Sequence, residues 1–149
     1  MVALIDLDEF KRVNDGHGHD GGDALLVEMA RRLAACVRAG DLAARLGGDE
    51  FAVISEAPAG GGEPVDPAPL AERLLAALGA PAVIGGVPLQ PGVSVGVANF
   101  PDDASDSDQL LRNADRALYA AKAAGRGTWR AFASDCVAAA DAGPRAPQT

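Results

Sequence analysis

Asp6 and Asp8 close an apolar run from Val2 to Leu7, and Asp49 and Glu50 follow two glycines between the apolar runs Leu42 to Leu46 and Phe51 to Ile54. The first pattern predicts a buried strand whose end delivers Asp6 to a site. The second predicts a hairpin, with Gly47 and Gly48 supplying the positive φ values of a tight two-residue turn between short strands of interior type. Bare glycine backbone also lets a ligand approach main-chain N–H groups, with Asp49 beside it. Such a tip suits a metal-bound, phosphorylated ligand. Taken alone it is also the pattern of an ordinary surface hairpin with solvated acids, and what separates the two readings lies elsewhere in the chain.

The 149 residues, 48% hydrophobic, predict one compact domain with a real core. A formal net charge of -8 excludes a general affinity for nucleic acid, which needs a basic surface. An anionic ligand must therefore be held by a metal and a few local cations. Two cysteines, Cys36 and Cys136, make no disulfide framework, which points to a reducing cytoplasm. No apolar run reaches the length of a membrane span, and the short run at Val2 to Ile5 meets acids at once, so it is not a signal peptide.

The elements that position these residues follow from periodicity. Glu9 to Asp15 reads as a short helix with Phe10 and Val13 on one face and Lys11 and Asn14 on another. Gly16 to Asp23 is too glycine-rich for regular structure and reads as a loop ending near a helix start, where Asp23 is favoured. From Ala24 to Arg38, Leu25, Leu26, Met29, Leu33, Cys36 and Val37 form an apolar stripe, with Glu28, Arg31, Arg32 and Arg38 opposite; Gly40 ends that helix. Residues 57–69 hold four prolines and three glycines, a flexible loop. Leu70, Leu74, Leu75 and Leu78 mark a second amphipathic helix ended by Gly79 and Pro81, and Ala82 to Leu89 a second hairpin around Gly85 and Gly86. Val93 to Ala98 reads as an interior strand with small residues where something packs closely. Leu110, Leu111, Ala114, Leu118 and Ala121 give a third helical stripe capped by Gly125, Thr128 to Phe132 an edge strand, and 133–149 a disordered tail. This order implies an α+β fold, a mixed sheet with helices packed on it.

The ordered series Asp6-Leu7-Asp8-Glu9-Phe10-Lys11, Asn14-Asp15, Gly18-His19, Gly22-Asp23, Arg45-Leu46-Gly47-Gly48-Asp49-Glu50-Phe51, Ser94-Val95-Gly96, Ala114-Asp115 and Ala117 to Lys122 with Gly125-Arg126 resembles the GGDEF domain of diguanylate cyclases. The resemblance covers residues 2 to about 132. It implies a palm-like fold similar to that of nucleotidyl cyclases, with a central mixed sheet of ferredoxin-like type, and condensation of two GTP into cyclic di-GMP with release of two pyrophosphates.

That chemistry needs charge neutralised at an α-phosphate and a 3′-hydroxyl deprotonated, which carboxylate-held Mg²⁺ or Mn²⁺ does. By the resemblance, Asp6, the Leu7 carbonyl and Asp49 hold the metal, with Glu50 a possible further ligand, and Asp49 is also a candidate proton acceptor. Lys11 matches the lysine that stabilises the transition state; a solvated helix lysine is its plain structural alternative. Asn14 and Asp23 match the guanine-reading positions, where an amide and a carboxylate together satisfy a purine edge, and His19 belongs with them. Lys122 and Arg126, four apart on a helix, resemble the phosphate-contacting pair; charge complementing a helix C-terminus is compatible with that role. Gly47 and Gly48 form the substrate-facing turn. Arg38 and Asp41 resemble an inhibitory product site supported by Arg73, against the alternative of a surface ion pair.

Family members usually carry ahead of the first strand a helix and an Asp-x-Leu-Thr-Gly-Leu-x-Asn-Arg segment, so by this resemblance residues 1–132 form an N-terminally shortened domain without a sensory module. The expected activity is diguanylate cyclase; the alternatives are an inactive GTP or cyclic di-GMP receptor, and a different palm-type nucleotidyl transferase. Turnover implies a homodimer, since each domain holds one GTP.

Overall fold

The computed structural model describes residues 1–56 and 65–133. The tail expected from 133 lies outside these residues except for Ala133, as does most of the expected proline-rich loop. Strand β1 (Val2–Asp8) is the centre of a five-stranded sheet of order β2-β3-β1-β6-β7, with β2 (Leu42–Gly47), β3 (Glu50–Ile54), β6 (Gly92–Ala98) and β7 (Trp129–Ala131). β4 (Ala82–Ile84) and β5 (Val87–Leu89) form a separate hairpin. β1 runs antiparallel to both β3 and β6, while β7 is parallel to β6. The mixed α+β sheet read from the sequence is therefore present.

Alternation along β1 divides its side chains between two layers. Ala3, Ile5 and Leu7 face Leu25, Met29 and Leu33 of helix α1 (Phe10–Cys36) and Leu70, Leu74 and Leu78 of helix α2 (Ala68–Leu78). Full burial of a leucine such as Leu74 stabilises by about 2 kcal/mol. Val2 and Leu4 face Ala98 and, on helix α3 (Ser107–Ala123), Ala114 and Leu118. By the same alternation Asp6 and Asp8 belong to the α3 face, at the end of the strand where the apolar layer stops. α3 approaches closely because residue 96 is glycine: a Cβ there would collide with the Leu118 nitrogen and the Ala114 carbonyl oxygen.

Several expectations are corrected. The stretch from Gly16 to Asp23 is helical, broken only at Gly18 (φ 72°, ψ 173°), so α1 runs from Phe10 to Cys36 instead of forming two helices and a loop. Glycine propensity gives way to packing here, because Gly21 and Gly22 leave room for His17 and Asn14. Glu9 lies outside the helix in a left-handed conformation, and α1 ends before Val37 and Arg38. α2 begins at Ala68, with Pro69 tolerated in its first turn, where its missing N–H costs nothing. β2 is an edge strand, with Leu42 and Leu46 each 58% exposed. Leu111 points outward, whereas Asn113 is buried and donates to the Asp103 carbonyl.

Arg32 also departs from its predicted solvated face. Its side chain is 11% exposed, paired with Glu28 at 2.7 Å, and its guanidinium reaches the carbonyls of Ala77, Leu78, Ala80 and Pro81. Two of those oxygens, of Ala77 and Leu78, belong to the last turn of α2, where carbonyls lack helical partners, and the other two to the segment that follows it. Arg31 and then Arg32 hold the Glu28 carboxyl down to about 2. Arg32 thus caps one helix from the side of another.

Candidate active site

The turn between β2 and β3 is formed by Gly48 and Asp49, one residue later than the Gly47-Gly48 pair expected, with Gly47 (φ 144°) ending β2 at a register shift and Gly48 at φ 51°. The Arg45 guanidinium donates to the Gly48 carbonyl at 3.0 Å. The Leu7 N–H donates to the Asp49 carbonyl at 3.2 Å, which pins the tip beside the end of β1. Glu50 stands opposite Asp6 in the β1–β3 register and Ser94 opposite it on β6.

Asp6 is 8% exposed, buried at the sheet's end. Lys122, in the last turn of α3, donates to its Oδ2 at 2.8 Å. Burial pushes the Asp6 carboxyl above the usual carboxylate range; the Lys122 hydrogen bond and charge oppose this, while the nearby Asp49 and Asp8 charges add to it. Asp8 accepts from the Ser94 hydroxyl at 2.7 Å and from the Gly127 N–H at 3.0 Å.

Among the predicted residues, the fold gathers Asp6, Leu7, Gly47, Gly48, Asp49, Glu50 and Lys122 around the end of β1. Lys11 is exposed in the first turn of α1 and Arg126 is exposed in the loop after α3. Asn14, half-buried, lies against Gly22, where a Cβ would overlap its side-chain oxygen. That contact sets Asn14 next to the residue preceding Asp23 across the Gly18 break; Asp23 and His19 are exposed. A cleft of about 390 Å³ opens on the α1 side of the same strand end, and of the predicted set only Leu7 lines it, with Asp8, Phe10, Val13, His17 and Gly92 among its other walls.

Arg38, Asp41 and Arg73 form a second group, separated from the glycine tip by the length of β2, about 20 Å of strand. Asp41 accepts from the Arg38 backbone N–H at 2.9 Å. That bond chiefly, with help from the Ser55 side chain and then from the Arg38 and Arg73 charges, holds its carboxyl below the usual range against the opposing effect of burial. The side-chain ion pair offered as the alternative is not among the salt bridges of the described residues. Arg73 Nε is buried without a hydrogen-bond partner among them.

Sequence reasoning missed the Asp8 bonds, although alternation placed Asp8 on the Asp6 face. It had no local signal for the Lys122–Asp6 contact or for Arg32.

The model of the family described as diguanylate cyclase, GGDEF domain, matches residues 1–128. The chain belongs to the GGDEF domain family. This GGDEF domain is 53% identical over 131 residues to an uncharacterized signaling protein of Caulobacter vibrioides, covering 88% of the chain and 16% of that relative. It is 45% identical to the bifunctional diguanylate cyclase/cyclic di-GMP phosphodiesterase MucR of Pseudomonas aeruginosa, covering 89% of the chain and 19% of that relative. The chain thus spans less than a fifth of these two relatives' length. Its fold matches the GGDEF domain of TpbB (YfiN) from Pseudomonas aeruginosa with a TM-score of 0.85 at 37% identity, covering 94% of the chain and 80% of that structure. The GGDEF domain has the palm-like fold, and among the described residues no helix is long and apolar enough to cross a membrane.

Among the described residues no three His, Cys, Asp or Glu side chains form a ready metal cage. Two carboxylates and a main-chain carbonyl are hard oxygen donors, and the mutual repulsion that helps raise Asp6 is what a cation relieves. This set fits a small hard divalent ion that keeps water ligands.

Proposed function

We propose that residues 1–132 are a catalytic domain that condenses two GTP into cyclic di-GMP. The observation that carries this reading is the buried Asp6 carboxyl at the end of the central strand, with the Asp49 tip pinned beside it by the Leu7 N–H. Asp6, the Leu7 carbonyl, Asp49 and Glu50 are the residues that would hold Mg²⁺ or Mn²⁺. When bound, such an ion neutralises phosphate charge and acidifies a hydroxyl. In each of two equivalent steps a ribose 3′-oxygen bonds to an α-phosphorus, the bond to pyrophosphate breaks, and the hydroxyl proton passes to a base, for which Asp49 is the candidate.

Lys11, Lys122 and Arg126 supply cations for the triphosphate and its developing charge. Gly47 and Gly48 leave backbone open to substrate. Asn14 and Asp23, with His19, are assigned to guanine; the contact of Asn14 with Gly22 supports the pairing. Because the two bonds are made by symmetric attack, two domains face each other with their glycine tips together, a two-fold homodimer. Arg38, Asp41 and Arg73 are assigned to product binding, supported by the unpartnered Arg73 Nε.

The test is product chromatography after incubating the protein with GTP or ATP and Mg²⁺ or Mn²⁺. Cyclic di-GMP from GTP alone is expected. Bound GTP without product would make the domain a receptor, and a different product another palm-type transferase.

A further inference from the structure

Both oxygens of Asp8 are engaged, Oδ1 by the Ser94 hydroxyl of β6 and Oδ2 by the Gly127 N–H. The second bond joins residues 119 positions apart and reaches the loop between α3 and β7. That loop has an uncommon backbone: Gly125, Arg126 and Gly127 all have positive φ, of 111°, 63° and 60°. For the glycines this is without steric cost, but for Arg126 it is strained and persists only where surrounding bonds impose it. On one side the bonds come from α3, with Arg126 N–H donating to Ala121 and Gly125 N–H to Lys122, each at 3.2 Å. On the other side the Val95 N–H donates to the Thr128 carbonyl at 3.0 Å, one residue past the loop, and the side-chain tie to the loop itself is Asp8. Space for it exists because residue 92, opposite Asp8 in the sheet, is glycine, whose absent Cβ would lie 3.0 Å from the Asp8 Cβ.

We infer that Asp8 is a positioning residue, which holds the Gly125-Arg126-Gly127 loop against the end of β1 and thereby presents Arg126 to the substrate triphosphate. The inference rests on the catalytic reading above for the role of Arg126, but not for the tie itself. Ser94 orients the carboxylate, Asp8 orients the loop, and the loop orients the guanidinium.

The test compares Asp8→Ala, Asp8→Asn and Arg126→Ala in the full chain. An asparagine keeps an oxygen for the Gly127 N–H and turns its NH₂ to the Ser94 hydroxyl, which accepts as readily as it donates. The expected results are a KM for GTP raised about tenfold by Asp8→Ala, the scale of one hydrogen bond to a charged group, a value near the parent for Asp8→Asn, and no further rise when Asp8→Ala is added to Arg126→Ala. Without turnover, GTP affinity by calorimetry gives the same comparison. Equal damage from Asn and Ala, a shifted Mg²⁺ midpoint, or independent effects of Asp8 and Arg126 would overturn the assignment and make the Asp8 charge itself functional. In nucleotide-free protein, Gly127 amide hydrogen exchange should accelerate in Asp8→Ala and stay slow in Asp8→Asn. If that holds while Arg126→Ala leaves GTP binding unchanged, the catalytic reading of Arg126 fails and the tie stands; an unchanged exchange rate in Asp8→Ala removes the tie.

Discussion

Lys122 Nζ lies 2.8 Å from Asp6 Oδ2, tying the last turn of α3 to the end of the central strand. The pair joins a candidate phosphate cation to a candidate metal carboxylate, and it offsets part of the cost of burying Asp6. It does not offset all of it, because the Asp6 carboxyl remains above its ordinary range.

Asp6→Asn follows from that imbalance. A raised folded-state value means that the folded protein keeps this proton to higher pH than the unfolded chain does, so stability from this group is lost as pH rises from about 4 through the folded value. The asparagine variant lacks this loss. Its stability relative to the parent should increase across that window and then level off, while turnover disappears. Urea midpoints between about pH 4 and pH 7 measure it, and a constant difference would mean that Asp6 carries no burial penalty.

Asp49→Ala should abolish cyclic di-GMP formation, a loss of several kcal/mol in barrier terms on the scale of metal-assisted catalysis. Nucleotide binding by calorimetry should survive. Turnover near the parent level would show that the hairpin tip is not the catalytic centre.

Gly96→Ala drives a methyl group into backbone atoms of α3, which cannot swing aside as a side chain does. Overpacking of this kind costs about 1–3 kcal/mol and sometimes more. Thermal unfolding should shift downward by several degrees, and an unchanged Tm would mean that α3 sits farther from β6 than described.

Arg32→Ala leaves the carbonyls of Ala77 and Leu78 at the end of α2, and those of Ala80 and Pro81 just after it, without their guanidinium partner and Glu28 with Arg31 alone, at a cost of about 1–3 kcal/mol. Arg32→Lys should recover only part, since an ammonium cannot span the same set of oxygens. Chemical denaturation of the three proteins gives the ranking.

Arg38→Ala should relieve product inhibition and weaken cyclic di-GMP binding while leaving the initial rate largely intact, a coupling between separate sites. Inhibition curves that overlay for variant and parent would return Arg38 to an ordinary surface role.

The fold was legible where residue pattern and burial agree. Val2 to Asp8 and Val93 to Ala98 are nearly continuous apolar runs and become the paired centre of the sheet; the stripe at Leu70, Leu74 and Leu78 becomes the buried face of α2. Gly16 to Asp23 misled because intrinsic propensity is a weak guide when missing side chains are what permit packing. Leu42 to Leu46 reads as interior from composition alone, yet nothing within one strand says whether a neighbour stands on its far side. For the site, the acids and glycines at positions 6, 47, 48, 49 and 50 carry local signals. Lys122, Asp8 and Gly127 do not, since their contacts depend on how α3 returns to the sheet.

The single hydrogen bond from Leu7 to the Asp49 carbonyl joins two regions that keep different time. β1 is laced on both edges and enclosed by two layers, so its amides should exchange with solvent only when the whole domain opens, whereas the exposed glycine tip is free to part from the strand locally and far more often. Asp6 is then the stationary half of the acidic pair and Asp49 the half that comes and goes, so a bound substrate and ion would shift the tip's equilibrium toward the closed arrangement without disturbing the strand that receives it.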